Sequence, residues 1–258
     1  MTARIKCFCY LVKKELDFFF RKFPSRLLDI SAMLATWIIV FGYFMVNSGL
    51  SNSYSSFILV ASIATFGLSE TLWRATRLSQ EITDGKIASY LILPIRSLFV
   101  FVAIALSWSI CTAILSIMLF PLGKLILWEK FDLSEMSTYK FILIFLSSSL
   151  FYGFFALWIA SLVKNLRSST WLWARVVNPL YMFCGFFYTW EAAYAIAPWI
   201  GCLHLFNPLI YVTEGMKASV FGQRGFLPYW MCLGAIWFFL VFFAFDALRR
   251  LKNRIDFV

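Results

Sequence analysis

Apolar positions along this chain come in long runs separated by short polar segments, and only the first run is periodic. Over residues 8–23, Phe8, Val12, Leu16, Phe19, Phe20 and Phe23 recur at helical spacing, with Lys13, Lys14, Asp17 and Arg21 on the opposite face. That pattern predicts an amphipathic helix lying in the headgroup plane of a membrane, with Pro24 turning the chain at its end. The later runs are apolar all round: residues 28–46, 56–73, 98–120, 141–163, a fifth from Thr170, and 227–248. A run of roughly 20 apolar residues is long enough to cross a bilayer as a helix. The expected fold is therefore an all-α membrane protein, one domain over residues 1–258, with six transmembrane helices and an N-terminal interfacial amphipathic helix. Pro121 is expected to end the third span, and Pro179, near the intramembrane polar residues Arg175 and Asn178, to kink the fifth.

One apolar stretch does not read as a straight span. Residues 180–223 carry Glu191, Pro198, His204, Asn207, Pro208, Glu214 and Lys217. Two prolines and three charges are incompatible with one lipid-facing helix. The expectation is a helix that rises to the far face, breaks near Glu191 and re-enters as short pieces over 191–223. Backbone freed at such a break must be buried in protein or line a wet cavity, because lipid cannot satisfy it.

Composition supports the class. Hydrophobic residues make up 62% of the 258, and the mean hydropathy of +0.80 lies far outside the soluble range. The net charge of +10 reads as positive charge retained on the cytoplasmic side, not as a nucleic-acid footprint. Seventeen Lys and Arg fall at the two termini and in the second and fourth connections, against five in the other connections, which predicts both termini inside. The first apolar patch is interrupted by Lys13, Lys14, Glu15 and Asp17, unlike a secretory leader. In the second span Glu70 and Arg74, four residues apart, are expected to form a local ion pair with Arg74 snorkelling to the interface. The six cysteines read as small apolar fillers rather than a metal or disulfide framework, a Cys184–Cys202 bridge being the alternative.

Two motifs carry a resemblance. Gly185-Phe186-Phe187-Tyr188, then Pro198-Trp199, then Asn207-Pro208-Leu209-x-Tyr211-x-x-Glu214-x-x-Lys217 resembles the C-terminal signature of ABC-2 type exporter permeases. Lys217 stands where that family usually has Arg. Residues 79–96, between the second and third spans, contain Glu81, Gly85, Ile87, Tyr90, Leu91 and Pro94. That polar loop with a short apolar knob resembles the coupling helix of the same family, with Tyr90 in place of an apolar residue. The resemblance covers nearly the whole chain. It implies a homodimeric permease of a bacterial inner membrane whose motion is driven by separate ABC ATPase subunits.

The chain has no G-x-x-x-x-G-K-[ST] run, so ATP and Mg would belong to the partner ATPase, with no cofactor in this chain. The expected function is ATP-driven export of a lipid-linked glycan, lipid or other amphiphile, with drug or peptide efflux as the alternative cargo. In that scheme residues 79–96 couple to the ATPase. The outer gate comprises Gly185, Tyr188, Glu191, Pro198, Trp199, Asn207, Pro208, Tyr211, Glu214 and Lys217. A membrane transferase using His204 or Glu191, and a non-transporting scaffold, are readings of other classes. No activating carboxylate stands at catalytic spacing from His204, the only histidine, and no Cys/His cluster suggests zinc or haem.

Overall fold

A computed structural model describes residues 2–45, 51, 53–85, 95–128, 134–163 and 170–256. Every regular element among them is helical. Helix α1 (Thr2–Arg21) is the predicted amphipathic helix; it buries Leu11 and Phe19 and packs on α4 (Ser97–Leu127). Helix α2 (Phe23–Ile39) has Pro24 in its first turn, where a missing N–H costs nothing, and continues into a π segment, Val40–Phe44. Helices α3 (Tyr54–Thr83), α4 and α5 (Thr138–Leu162) form the centre, and α10 (Tyr229–Asp256) lies against α5.

Five helices are long and apolar enough to cross a membrane: Phe23–Phe44, Tyr54–Thr83, Ser97–Leu127, Thr138–Leu162 and Tyr229–Asn253. The predicted fifth span is different. The described part of that helix, 170–182, contains a π segment, Trp173–Val177, leading into α6 (Asn178–Met182), and ends at Met182. At 1.5 Å per residue those 13 described residues span about 20 Å, against a ~30 Å hydrocarbon core. The π turn sits just ahead of Pro179, which cannot continue the regular ladder. Short helices α7 (Trp190–Ile196) and α8 (Pro198–His204) follow, then α9 (Pro208–Phe221). The break itself occupies 183–189, ahead of Glu191 rather than at it.

Pro121 does not end its helix: α4 runs through it to Leu127. Leu115, Leu119, Gly123 and Leu127 are buried at a spacing of four, so the apolar face continues past the proline and holds the helix together. Likewise α3 continues ten residues beyond the expected end, carrying Arg74, Ala75, Leu78 and Ser79 into buried positions.

Long-range hydrogen bonds tie the helix ends into two poles. At one, Tyr43 donates to the Ile126 carbonyl (3.2 Å) and the Ser137 amide to that of Ser219 (2.9 Å). At the other, Ser79 donates to the Val163 carbonyl (2.7 Å), and α1 meets the end of α3. The cysteines are all free; Cys184 is buried while Cys202 is exposed.

Candidate functional site

Helix α9 is built to be buried. Asn207 caps it from an extended backbone, Oδ1 accepting from the Leu209 amide (3.0 Å), and Pro208 occupies the first turn. Every residue from Pro208 to Val220 is buried. A helix with no lipid-facing side can carry charge inside the protein, and this one carries Glu214 and Lys217.

Those charges serve the broken backbone at 183–189 and its neighbours. Buried backbone groups need partners, and lipid supplies none. Asn207 Nδ2 donates to the Leu180 carbonyl (2.7 Å), near the C-terminal end of α6. Thr213 donates to the Cys184 carbonyl, and Lys217 Nζ to the Gly185 carbonyl and to that of Tyr188 (3.3 Å). From α3, Tyr54 donates to the Phe187 carbonyl (2.9 Å). Glu214 does the converse: Oε1 accepts from the Trp190 amide and Oε2 from the Leu227 amide, each at 3.1 Å. One side chain thus holds both the start of α7 and the approach to α10. Tyr211 closes the set by donating to the Leu205 carbonyl (2.8 Å).

Glu214 and Lys217, three residues apart on one helix, therefore aim at different backbone groups rather than at each other. Lys217 Nζ also lies 3.6 Å from the centroid of the Phe57 ring, a cation–π contact with α3. Beside it, Phe186 and Phe187 pack on Trp37 of α2 (ring centroids 5.2 and 5.6 Å apart). Gly185 makes the turn possible: its φ is +74°, and a Cβ there would lie 2.7 Å from Ile210 Cδ1. The Gly-x-x-Tyr and Asn-Pro-Leu-x-Tyr-x-x-Glu-x-x-Lys motifs, about twenty residues apart in sequence, meet as one hub.

The other expected gate residues lie around it. Tyr188 Oη is 2.7 Å from His204 Nε2, and His204 Nδ1 is 2.6 Å from the Ile200 carbonyl. Both ring nitrogens of this buried histidine are thus engaged, and it packs as a structural residue. Glu191 is exposed in the first turn of α7, and Pro198 starts α8. Trp199 is exposed, beside exposed Ile196, Leu203 and Phe206. Among the described residues no group of His, Cys, Asp and Glu could hold a metal ion.

The opposite pole holds a second set of charges. Glu70 does pair with Arg74 (3.1 Å), but Arg74 does not snorkel. Its guanidinium is buried and donates to the Trp108 carbonyl (2.5 Å) and Thr112 (2.8 Å), because α3 and α4 pack over it. Glu70 also takes Arg26 of α2 at 2.6 Å. Arg77 bridges Glu15 of α1 (3.7 Å) and Glu81 (2.8 Å). Burial pushes the Glu15 carboxyl above its ordinary value despite the opposing effect of Arg77. Arg175 is exposed and stacks over Trp171 (5.3 Å), while Asn178 begins α6. Of the expected coupling residues, Glu81 lies in the last turn of α3 and Gly85 follows it with φ +70° and open space around it. Ile87, Tyr90, Leu91 and Pro94 lie outside the described residues.

Sequence reasoning missed Thr213, Tyr54, Phe57 and Arg26. Thr213 stands at an unspecified position of the signature. The other three belong to different helices, where nothing local marks their partners. No protein-family model matches the chain, and no curated protein matches it.

Proposed function

We propose that the chain is the membrane permease subunit of an ATP-driven exporter of the ABC-2 type, moving a lipid-linked glycan, lipid or other amphiphile outward. The observation that carries this reading is the hub on α9. Every motif residue from Asn207 to Lys217 that marks the resemblance has a defined task there, and those tasks hold a broken segment inside an apolar helical protein. A segment held by side-chain hydrogen bonds instead of a continuous helical ladder can rearrange without unfolding a span, which suits an outer gate.

In this scheme the run 170–182, the short helices and α9 together make the sixth crossing, both termini face the cytoplasm, and two copies form the pathway. ATP binding by a separate ATPase pair moves the 79–96 loop. The Glu15–Arg77–Glu81 chain supports that step, since it ties α1 to the end of α3 next to Gly85. The motion then passes along α3, whose Tyr54 and Phe57 touch the hub at the other pole. ATP and Mg bind the partner; this chain supplies no catalytic residue.

The test is co-purification from mild detergent with an ATPase assay, comparing wild type with Gly85→Trp/Leu91→Asp. An ABC ATPase that accompanies the wild type and is lost from the variant is the expected result. A wild-type protein that purifies with no nucleotide-hydrolysing partner overturns the proposal.

A further inference from the structure

Where α1, α2, α3 and α4 converge, a small half-open cavity of about 20 Å³ is lined by Lys22, Arg26, Arg74, Arg77, Glu15 and the aromatic rings around them. Four cations lie around this space. Arg26 stacks 4.2 Å over the ring of Trp73, Arg77 3.9 Å over Phe18, and Lys22 5.1 Å over the same Phe18. Pinning these three cations to rings fixes their positions without neutralising them.

The carboxylates do not balance them. Glu70 is shared by Arg26 and Arg74, and Glu15 and Glu81 both serve Arg77. Three carboxylates face four cations, and Lys22 has no carboxylate within ion-pair distance among the described residues. The cavity has room for about one water-sized group, so a bound anion would place an oxygen inside and its body in the mouth. A phosphodiester carries one negative charge, which would answer Lys22, and its oxygens suit Arg and Lys donors. Trp73, which lines the cavity and is 43% exposed, offers apolar surface at the mouth.

We propose that the Lys22–Arg26–Arg77 cavity is a binding site for a phosphate oxyanion, most simply the phosphodiester headgroup of an anionic lipid. The inference needs only the membrane class of the chain and is independent of the exporter reading.

The experiment is native mass spectrometry of the purified chain in detergent carrying equal phosphatidylglycerol and phosphatidylcholine. Wild type retains phosphatidylglycerol in preference by about tenfold, the scale of one charge-assisted contact. Lys22→Gln brings the preference close to parity, Lys22→Arg keeps it, and Lys13→Gln/Arg21→Gln, residues of α1 that do not line the cavity, leaves it unchanged. Melting of each variant in the same detergent confirms that it is folded. Inorganic phosphate then separates the sources: displacement of the lipid shows that free phosphate suffices, and persistence shows that the lipid is the ligand. Equal retention of the two lipids by wild type overturns the proposal. So does an equal loss in the Lys13→Gln/Arg21→Gln control, which would show diffuse attraction to a basic protein.

Discussion

Replacing Glu214 by Gln keeps the shape of the side chain and removes its second acceptor. The carboxylate accepts two backbone amides, the part-buried one of Trp190 and the buried one of Leu227, through separate oxygens. An amide side chain offers one oxygen and one NH2, so one of those N–H groups would face a donor. Leaving a buried donor unpaired costs about 1–3 kcal/mol, and the remaining hydrogen bond loses its charge assistance. Lys217 is also left as a buried ammonium without the nearest carboxylate on its helix, and an uncompensated buried charge brings the cost to about 3–5 kcal/mol in all. For a chain of this size each kcal/mol moves Tm by roughly 2–4 °C, so Glu214→Gln should melt about 6–20 °C below wild type in the same detergent. Hydrogen exchange should quicken first at the Trp190 and Leu227 amides. The double variant Glu214→Gln/Lys217→Met should be less damaged than the two single losses together, because it also removes the orphaned ammonium. A Glu214→Gln protein that melts within about 1 °C of wild type, with unchanged exchange at those two amides, would refute the account of the hub.

Two further predictions concern the other pole. Glu70→Gln leaves the buried Arg74 guanidinium without its carboxylate and frees Arg26; the expected loss is about 3 kcal/mol by thermal melting, with Glu70→Asp recovering little because the shorter side chain cannot reach both arginines. Glu15 has a folded pKa raised above its ordinary 4.5, chiefly by burial. A raised carboxyl favours the folded state most when protonated, so its contribution is fully present below the unfolded value and fades as pH rises through the folded one. Protease nicking of α1 should therefore increase from pH 4 upward into that window, and Glu15→Gln should flatten the dependence; nicking that decreases over the same range contradicts the assignment.

Much of the fold was legible in the chain because membrane helices are written locally. The long apolar runs located five spans to within several residues at most of their ends, and the Phe8–Phe23 periodicity located α1. That 180–223 would be broken was legible too, since prolines and charges inside an apolar stretch have few physical solutions, although the break falls at 183–189, ahead of Glu191. Two errors share a cause. Pro121 was expected to end a helix and Arg74 to reach outward; each expectation weighed a residue against its own neighbours in sequence. In the structure, Leu119, Gly123 and Leu127 carry α4 past the proline, and α4 also covers Arg74.

By itself the sequence determined that this is a helical membrane protein, where its apolar segments lie, and that 180–223 could not be one plain helix. Those are sums of local transfer free energies, and no partner is needed to evaluate them. Only the tertiary structure decided which donor meets which acceptor at the break. Tyr54 reaches the Phe187 carbonyl across 133 residues of chain, Lys217 reaches Gly185 across 32, and Arg26 meets Glu70 across 44. Hydrogen bonds are directional and act over about 3 Å, so such pairings exist only once the helices have packed.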